Sequence, residues 1–249
     1  MALPISEETC PMKIQVTLLS AALALAACQP AADPEAQRAA QAAAQEKAAD
    51  AMAQQFDEQF AAGNWSLAKA HGDVLVAEYP NSEAAARIQA RHAEASEKAI
   101  EQSEAARMEA LWAYQSEPVG AKQQLSAAIY AKENVETDGA TPRPVRLIFR
   151  DHPEWGDSAY LTLEAGDFDC YGGCRVGVTV DDGEPRRMAA SRPDTDEAIA
   201  MFIEDEAALW KLAGQATTLS VEFPVKAGGT RTAVFEVGGL EPSKLPDWN

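Results

Sequence analysis

The hydrophobic period of this chain changes once, near Trp112, and that change constrains the fold more than any other feature. From Asp33 to about Trp112 the sequence is rich in alanine and almost free of β-branched residues, with Gln, Glu, Lys and Arg filling the rest. Alanine is the best helix former, so this stretch reads as helix. Past Trp112 apolar residues alternate with polar ones around Leu125–Ile129, Val145–Phe149, Ala159–Leu163, Val176–Val180, Ile199–Ile203, Leu219–Phe223 and Ala233–Val237. A period of two marks half-buried strands. Helices first and strands afterwards favour an α+β fold with the two kinds segregated. The expectation is an N-terminal Ala-rich helical hairpin or stalk, then an antiparallel β-sandwich or half-barrel with one packed helix.

Local signals divide the helical part. Asp33-Pro34-Glu35 combines an N-cap, a first-turn proline and an acid near the positive helix end, so a helix should start at Pro34 and reach about Ala62. Gly63-Asn64 ends it, and Pro80-Asn81-Ser82 separates a second helix (Trp65 to Tyr79) from a third (Glu83 to Met108 or beyond). Leu67, Ala70, Val74 and Leu75 are the expected packing face of the second helix, and Ile88, Ala95, Ile100 and Met108 of the third. The helical region is placed at 34–114, the β-rich domain at 115–240 and a tail at 241–249. Within the β-rich domain, Glu204 to Ala213 reads as the single helix, stopped by Gly214. The strands around Ala227-Gly228-Gly229 should form a hairpin.

The N-terminus carries an export signal. Met12-Lys13 opens a short basic region, and the apolar run Ile14–Ala27 is too short and too alanine-rich for a good membrane span. Residues 1–11 contain Glu7 and Glu8, which oppose the positive start that export prefers, so translation is expected to begin at Met12. Leu25-Ala26-Ala27-Cys28 resembles a bacterial lipobox. The resemblance implies cleavage before Cys28, a diacylglycerol on its thiol and acylation of the new amine. An ordinary signal peptide cut at an A-x-A site is the alternative. Gln29, rather than Asp, follows the Cys, which in that family implies sorting to the outer membrane. Residues 28–33 would then be a lipidated tether, and the covalent lipid on Cys28 the only non-protein group expected.

Two further resemblances concern the folded parts. Phe60-x-x-Gly63-x-Trp65-x-x-Ala68, followed by Leu75-x-x-x-Tyr79-Pro80-Asn81-Ser82 and Ala85-Ala86, resembles one tetratricopeptide unit of BamD-like envelope lipoproteins. It covers about thirty residues, and a plain helical hairpin with the same turn chemistry is the alternative, since solenoids need several repeats. Trp112 and Tyr114, Phe202-Ile203 and Phe235-x-Val237-x-Gly239-Leu240 faintly resemble VasI-like periplasmic proteins associated with type VI secretion. That resemblance carries no functional residue.

Charge and motif content narrow the function. The chain has 39 acidic against 21 basic residues, a formal net charge of −18. Loss of residues 1–27 removes Glu7, Glu8 and Lys13 and leaves −17. Such a field repels phosphate backbones, which argues against nucleic acid. Cys170 and Cys174 frame Tyr171-Gly172-Gly173, and in an oxidising compartment a pair this close should form a disulfide. Loop-length scaling assigns so small a loop about 2 kcal/mol. Asp167, Asp169, Asp181, Asp182 and Glu184 gather nearby, but no EF-hand spacing follows and solvated turns account for them. His71, His92 and His152 lack the spacing of a metal site. A hydrolase would need His152 with Ser158 or Ser191, and neither serine stands in a G-x-S-x-G elbow. Arg186-Arg187 reads as a solvated strand edge. Trp155, Tyr171 and Trp248 are aromatics in expected loops and are the candidate partner contacts, with capping of the core or docking of the tail as the commoner alternative.

The combined expectation is an outer-membrane lipoprotein facing the periplasm, without enzymatic activity, metal or small-molecule substrate, that binds an envelope protein. The alternative is an anionic inhibitor or immunity protein against a cationic envelope-targeting hydrolase, with long-range charge speeding association.

Overall fold

The computed structural model describes residues 33–193 and 199–248. Helix α1 (Pro34–Ala61) starts where the sequence places it: the Asp33 carboxylate accepts from Glu35 N, and Pro34 occupies the first turn. Helices α2 (Trp65–Glu78) and α3 (Glu83–Ala110) follow. Ser82 caps α3 by accepting from Ala85 N, and Glu46 of α1 reaches across to accept from Glu83 N and Ala84 N. A carboxylate at the amide-rich end of α3 joins two helices through the helix dipole.

The three helices share a small core of Ala49, Ala53, Phe56, Ala68, Leu75, Ala84, Ala85, Ile88 and Ala95. Its close packing depends on Gly72, whose missing side chain leaves room for the ring of His92. This turns α2 differently from expectation. Ala68, Gly72 and Leu75 face inward, while Leu67 and Val74 stay exposed. Ile100 of α3 is also exposed, at 64%. Ile88, Ala95 and Met108 are buried as expected. Gly72 is the reason: the His92 ring fills the space over the glycine, and the larger apolar residues on the next face are left outside.

The β part is one nine-stranded antiparallel sheet in the order β1-β2-β3-β4-β7-β6-β5-β8-β9. Its strands are β1 (Trp112–Val119), β2 (Lys122–Tyr130), β3 (Val145–His152), β4 (Gly156–Leu163), β5 (Cys174–Val180), β6 (Arg186–Ser191), β7 (Ala200–Ile203), β8 (Leu219–Pro224) and β9 (Thr230–Phe235). The sheet is open. It curls enough that Lys132, just after β2, donates its N–H to Val234 O of β9 at 2.7 Å. Helix α4 (Glu206–Ala213) packs Leu209, Trp210 and Ala213 into the concave core and ends at Gly214. The α+β class and the half-barrel with one packed helix are therefore present. The β8–β9 hairpin forms as expected, pairing Leu219 with Phe235 and Pro224 with Thr230. Gly228 and Gly229 take φ of 98° and 77°, a region that glycine enters without strain.

Two strands have no clear alternation in sequence. In β1 only Trp112 is buried, because this edge strand is largely solvated. In β6 only Met188 and Ala190 face the core. β1 also begins at Trp112, two residues before the expected end of the helical region. The tail is part of the β-domain: Leu245 and Trp248 are buried in its core, and Glu241 N donates to the Tyr114 hydroxyl at 2.7 Å.

The helical and β parts meet at the last turn of α3. The exposed stretch Ile100–Arg107 leads to Met108, which is buried. There Gly239 lies against the backbone of Met108 and Glu109 so closely that a Cβ would overlap it. Arg107 Nη2 also pairs with Glu236 Oε1 at 2.8 Å. Gly239→Ala should cost about 1–3 kcal/mol, since the obstructing atoms are backbone and cannot yield. Gly238→Ala, whose Cβ would meet Met108 Sδ at an ordinary 3.5 Å, should change little. Urea unfolding of both variants checks this, and equal stabilities would contradict the close-approach account.

Candidate functional site

Cys28 and the expected export signal lie outside the described residues, which begin at the N-cap of α1. The first turns of that helix, residues 34–45, are exposed on every side. At 1.5 Å per residue they form a solvated rod of about 18 Å. This is the geometry of a stalk between the expected lipid position and the packed helices.

Cys170 and Cys174 are joined by a disulfide, with Cα atoms 5.0 Å apart. The loop they close presents Tyr171, which pairs in parallel with Arg192 as an isolated bridge. Two cations approach the Tyr171 ring: the Arg192 guanidinium at 4.7 Å and Lys226 Nζ at 4.2 Å. Below it Asp167 accepts from Arg192 Nε at 2.5 Å, Lys226 Nζ at 2.8 Å, Phe168 N at 2.8 Å and the Tyr171 hydroxyl at 3.1 Å. Burial alone would raise the Asp167 carboxyl above its ordinary 3.8. The bonds from Lys226, Arg192, Phe168 N and Tyr171 outweigh burial and hold it at about 2. The sequence reading made Asp167 a solvated turn residue. The structure instead makes it the anchor of the disulfide loop, because Arg192, whose side chain is almost fully buried, needs a counter-charge. Tyr171 is 40% exposed, but its hydroxyl and ring serve this cluster.

The second cluster sits on the outer face of β2, β3, β4 and β7. Strand pleating sends Val145, Leu147 and Phe149 inward and Arg146, Ile148 and Arg150 outward, while His152, on the outward parity, is buried under Trp155. At the β3–β4 turn Trp155 folds back on His152, with ring centroids 3.8 Å apart and planes within 8°. His152 Nδ1 accepts the N–H groups of Glu154 and Trp155, each at 3.2 Å, which braces the turn. The Arg150 guanidinium lies 5.5 Å from the Trp155 ring and 5.4 Å from that of Tyr160, which in turn meets Phe202 at 5.0 Å. Arg146 stands 5.3 Å over Tyr130. Trp155 keeps 70% of its surface in solvent.

Trp248 does not join either cluster. It is 6% exposed and packs on Phe149 (5.3 Å) and Trp210 (4.8 Å), so it anchors the tail and has no surface to offer a partner. The groups considered for hydrolysis have other roles: His152 Nδ1 braces its own turn, and the Ser158 hydroxyl accepts from Arg150 Nε at 3.2 Å. Asp181 Oδ1 accepts from Thr217 N, Thr218 N and the Thr218 hydroxyl, closing the end of β5 on β8. Among the described residues no group of three or more His, Cys, Asp or Glu is arranged to hold a metal ion. Arg192, Lys226 and Tyr160 escaped the sequence reading. The outward position of Arg150 and Tyr160 follows from strand alternation, whereas the meeting of Arg192 and Lys226 on Asp167 depends on loops that carry no period. No family model, curated protein or solved structure matches this chain.

The Asp167 cluster has a measurable consequence. Because the folded-state pKa lies below the ordinary value, its contribution is full above about pH 4 and is lost as pH falls toward 2. The difference corresponds to roughly 2 kcal/mol. Unfolding free energies measured between pH 5 and pH 2 should fall by about that amount more in the wild type than in Asp167→Asn. Parallel pH profiles would contradict the assignment.

Proposed function

We propose that this protein is a lipid-anchored, non-enzymatic interaction component of the bacterial cell envelope, held at the outer membrane through Cys28 and facing the periplasm. The observation that carries the interaction reading is the exposed apolar stripe of α2. Leu67 (53% exposed), Ala70 and Val74 follow one another at helical spacing on the outward face of the helical hairpin. Contiguous apolar surface of this kind marks protein-binding sites. The stripe lies on the tetratricopeptide-like segment, beyond the solvated start of α1. The lipobox-like Leu25-Ala26-Ala27-Cys28 and the Cys170–Cys174 disulfide support placement in an oxidising, membrane-bounded compartment.

A photo-activated cross-linker at position 70 in intact cells should join the protein to one discrete envelope protein. Leu67→Glu with Val74→Glu should abolish that product with little change in the circular dichroism and melting temperature, since about half of each residue is already in water. Cys28→Ala should abolish both the product and labelling with a radiolabelled fatty acid. Cross-links that only reflect protein abundance, or a Cys28→Ala variant that still takes up lipid, would contradict the reading.

A further inference from the structure

We propose that the outer face of β2, β3, β4 and β7 is a binding surface for an acidic glycan, separate from the α2 stripe and independent of it. Three observations converge there. First, the face carries two cations that the rest of the chain leaves unneutralised. In a sequence with 39 acids, neither Arg146 nor Arg150 pairs with a carboxylate among the described residues. Their guanidinium groups stand over rings instead: Arg146 over Tyr130, and Arg150 over Trp155 and Tyr160. Arg150 Nε donates to the Ser158 hydroxyl at 3.2 Å, and the remaining in-plane N–H donors of the two guanidinium groups match a carboxylate. Arg146 Nε has no hydrogen-bond partner although it is shielded from solvent. The two residues share a strand face four positions apart, about 13 Å at the rise of a β-strand.

Second, the rings are exposed and braced. Trp155 is locked by its stack on His152 and by the two N–H bonds to His152 Nδ1, yet 70% of it meets water. Tyr130 is 58% exposed. Aromatic surface held in place loses little freedom when a ligand arrives. Third, a central row of Ala128, Ile148, Tyr160 and Phe202 supplies apolar and aromatic surface, and hydroxyl residues edge it. Ser126 and Ser158 flank Arg150 on the neighbouring strands, Thr162 flanks Arg146, and Ser191 pairs with Phe202. Exposed rings suit the C–H faces of sugar rings, hydroxyls suit sugar hydroxyls, and the two guanidinium groups suit carboxylates. The charge pattern also sets the partner's sign: with a screening length of about 8 Å at physiological salt, acids on other faces act weakly here, and the charges that act on the central Tyr160 are Arg150, Arg146 and Glu117, two positive against one negative.

The test is titration of the full chain in detergent with polygalacturonate, its methyl ester and poly-L-glutamate. The ester keeps the sugar rings and removes the charge, whereas poly-L-glutamate keeps the charge and removes the rings. The expected result is saturable binding of polygalacturonate, at least tenfold weaker binding of the ester and none of poly-L-glutamate. Trp155→Ala and Arg150→Gln should each weaken polygalacturonate binding at least fivefold with the fold intact by circular dichroism. Arg146→Gln provides the same test should Arg150→Gln lower the melting temperature. Lys211→Gln, on α4, should have no effect. Poly-L-glutamate binding as tight as polygalacturonate would overturn the proposal in favour of an acidic peptide. Absence of polygalacturonate binding, or variants that bind like the wild type, would overturn it outright. Neither failure touches the α2 cross-linking result.

Discussion

The β-domain depends on one buried ring. Phe149, fully buried on the inner face of β3, lies 5.1 Å from Trp210 of α4, 5.3 Å from Trp248 of the tail and 6.2 Å from Trp112 at the start of β1. Elements from both ends of the domain therefore meet on a single side chain. Large aromatic surfaces contribute heavily when buried, and edge-to-face pairs such as Phe149–Trp210 and Phe149–Trp248 add to that. Trp112 follows α3 directly, so the same contact fixes where the helical part leaves the sheet. Gly239 then seats the chain against the last turn of α3.

Pleating links this core to the outer surface. The inward step at Phe149 is followed by an outward step at Arg150, and the inward Leu147 by Ile148. A rigid inner face therefore gives a rigid outer one. The hairpin after β3 ends in Trp155, whose position is set by His152 rather than by a ligand. The two proposed surfaces differ in origin. The α2 stripe exists because Gly72 draws a neighbouring helix face inward and leaves Leu67 and Val74 outside. The Arg–aromatic face exists because strand alternation must send every second residue of β3 to the solvent side.

Much of the architecture was legible because periodicity reports burial directly. The helix starts at Pro34 and Glu83 follow from Asp33 and Ser82, and the β8–β9 hairpin follows from Gly228-Gly229. Strands β1 and β6 were not legible, since one is a solvated edge and the other turns only Met188 and Ala190 inward. The inward face of α2 was misjudged for a related reason: hydrophobicity favours Leu67 and Val74, whereas packing distance favours Gly72. At the candidate sites the disulfide was legible from spacing and Trp155 from its loop. Trp248 stands among the candidate partner contacts because it falls in an expected loop, but the Phe149 pocket takes it and it docks the tail. The Asp167 cluster joins residues 25 and 59 positions apart, and no local signal reveals such a meeting.

The central claim is that the outer face is preorganised by the core beneath it. Native-state amide hydrogen exchange tests that most directly. The account predicts that the inter-strand amides of β3 and β4 exchange only through global opening, with the same free energy as denaturant unfolding. Exchange of the β3–β4 hairpin through a separate opening of much lower free energy would contradict it.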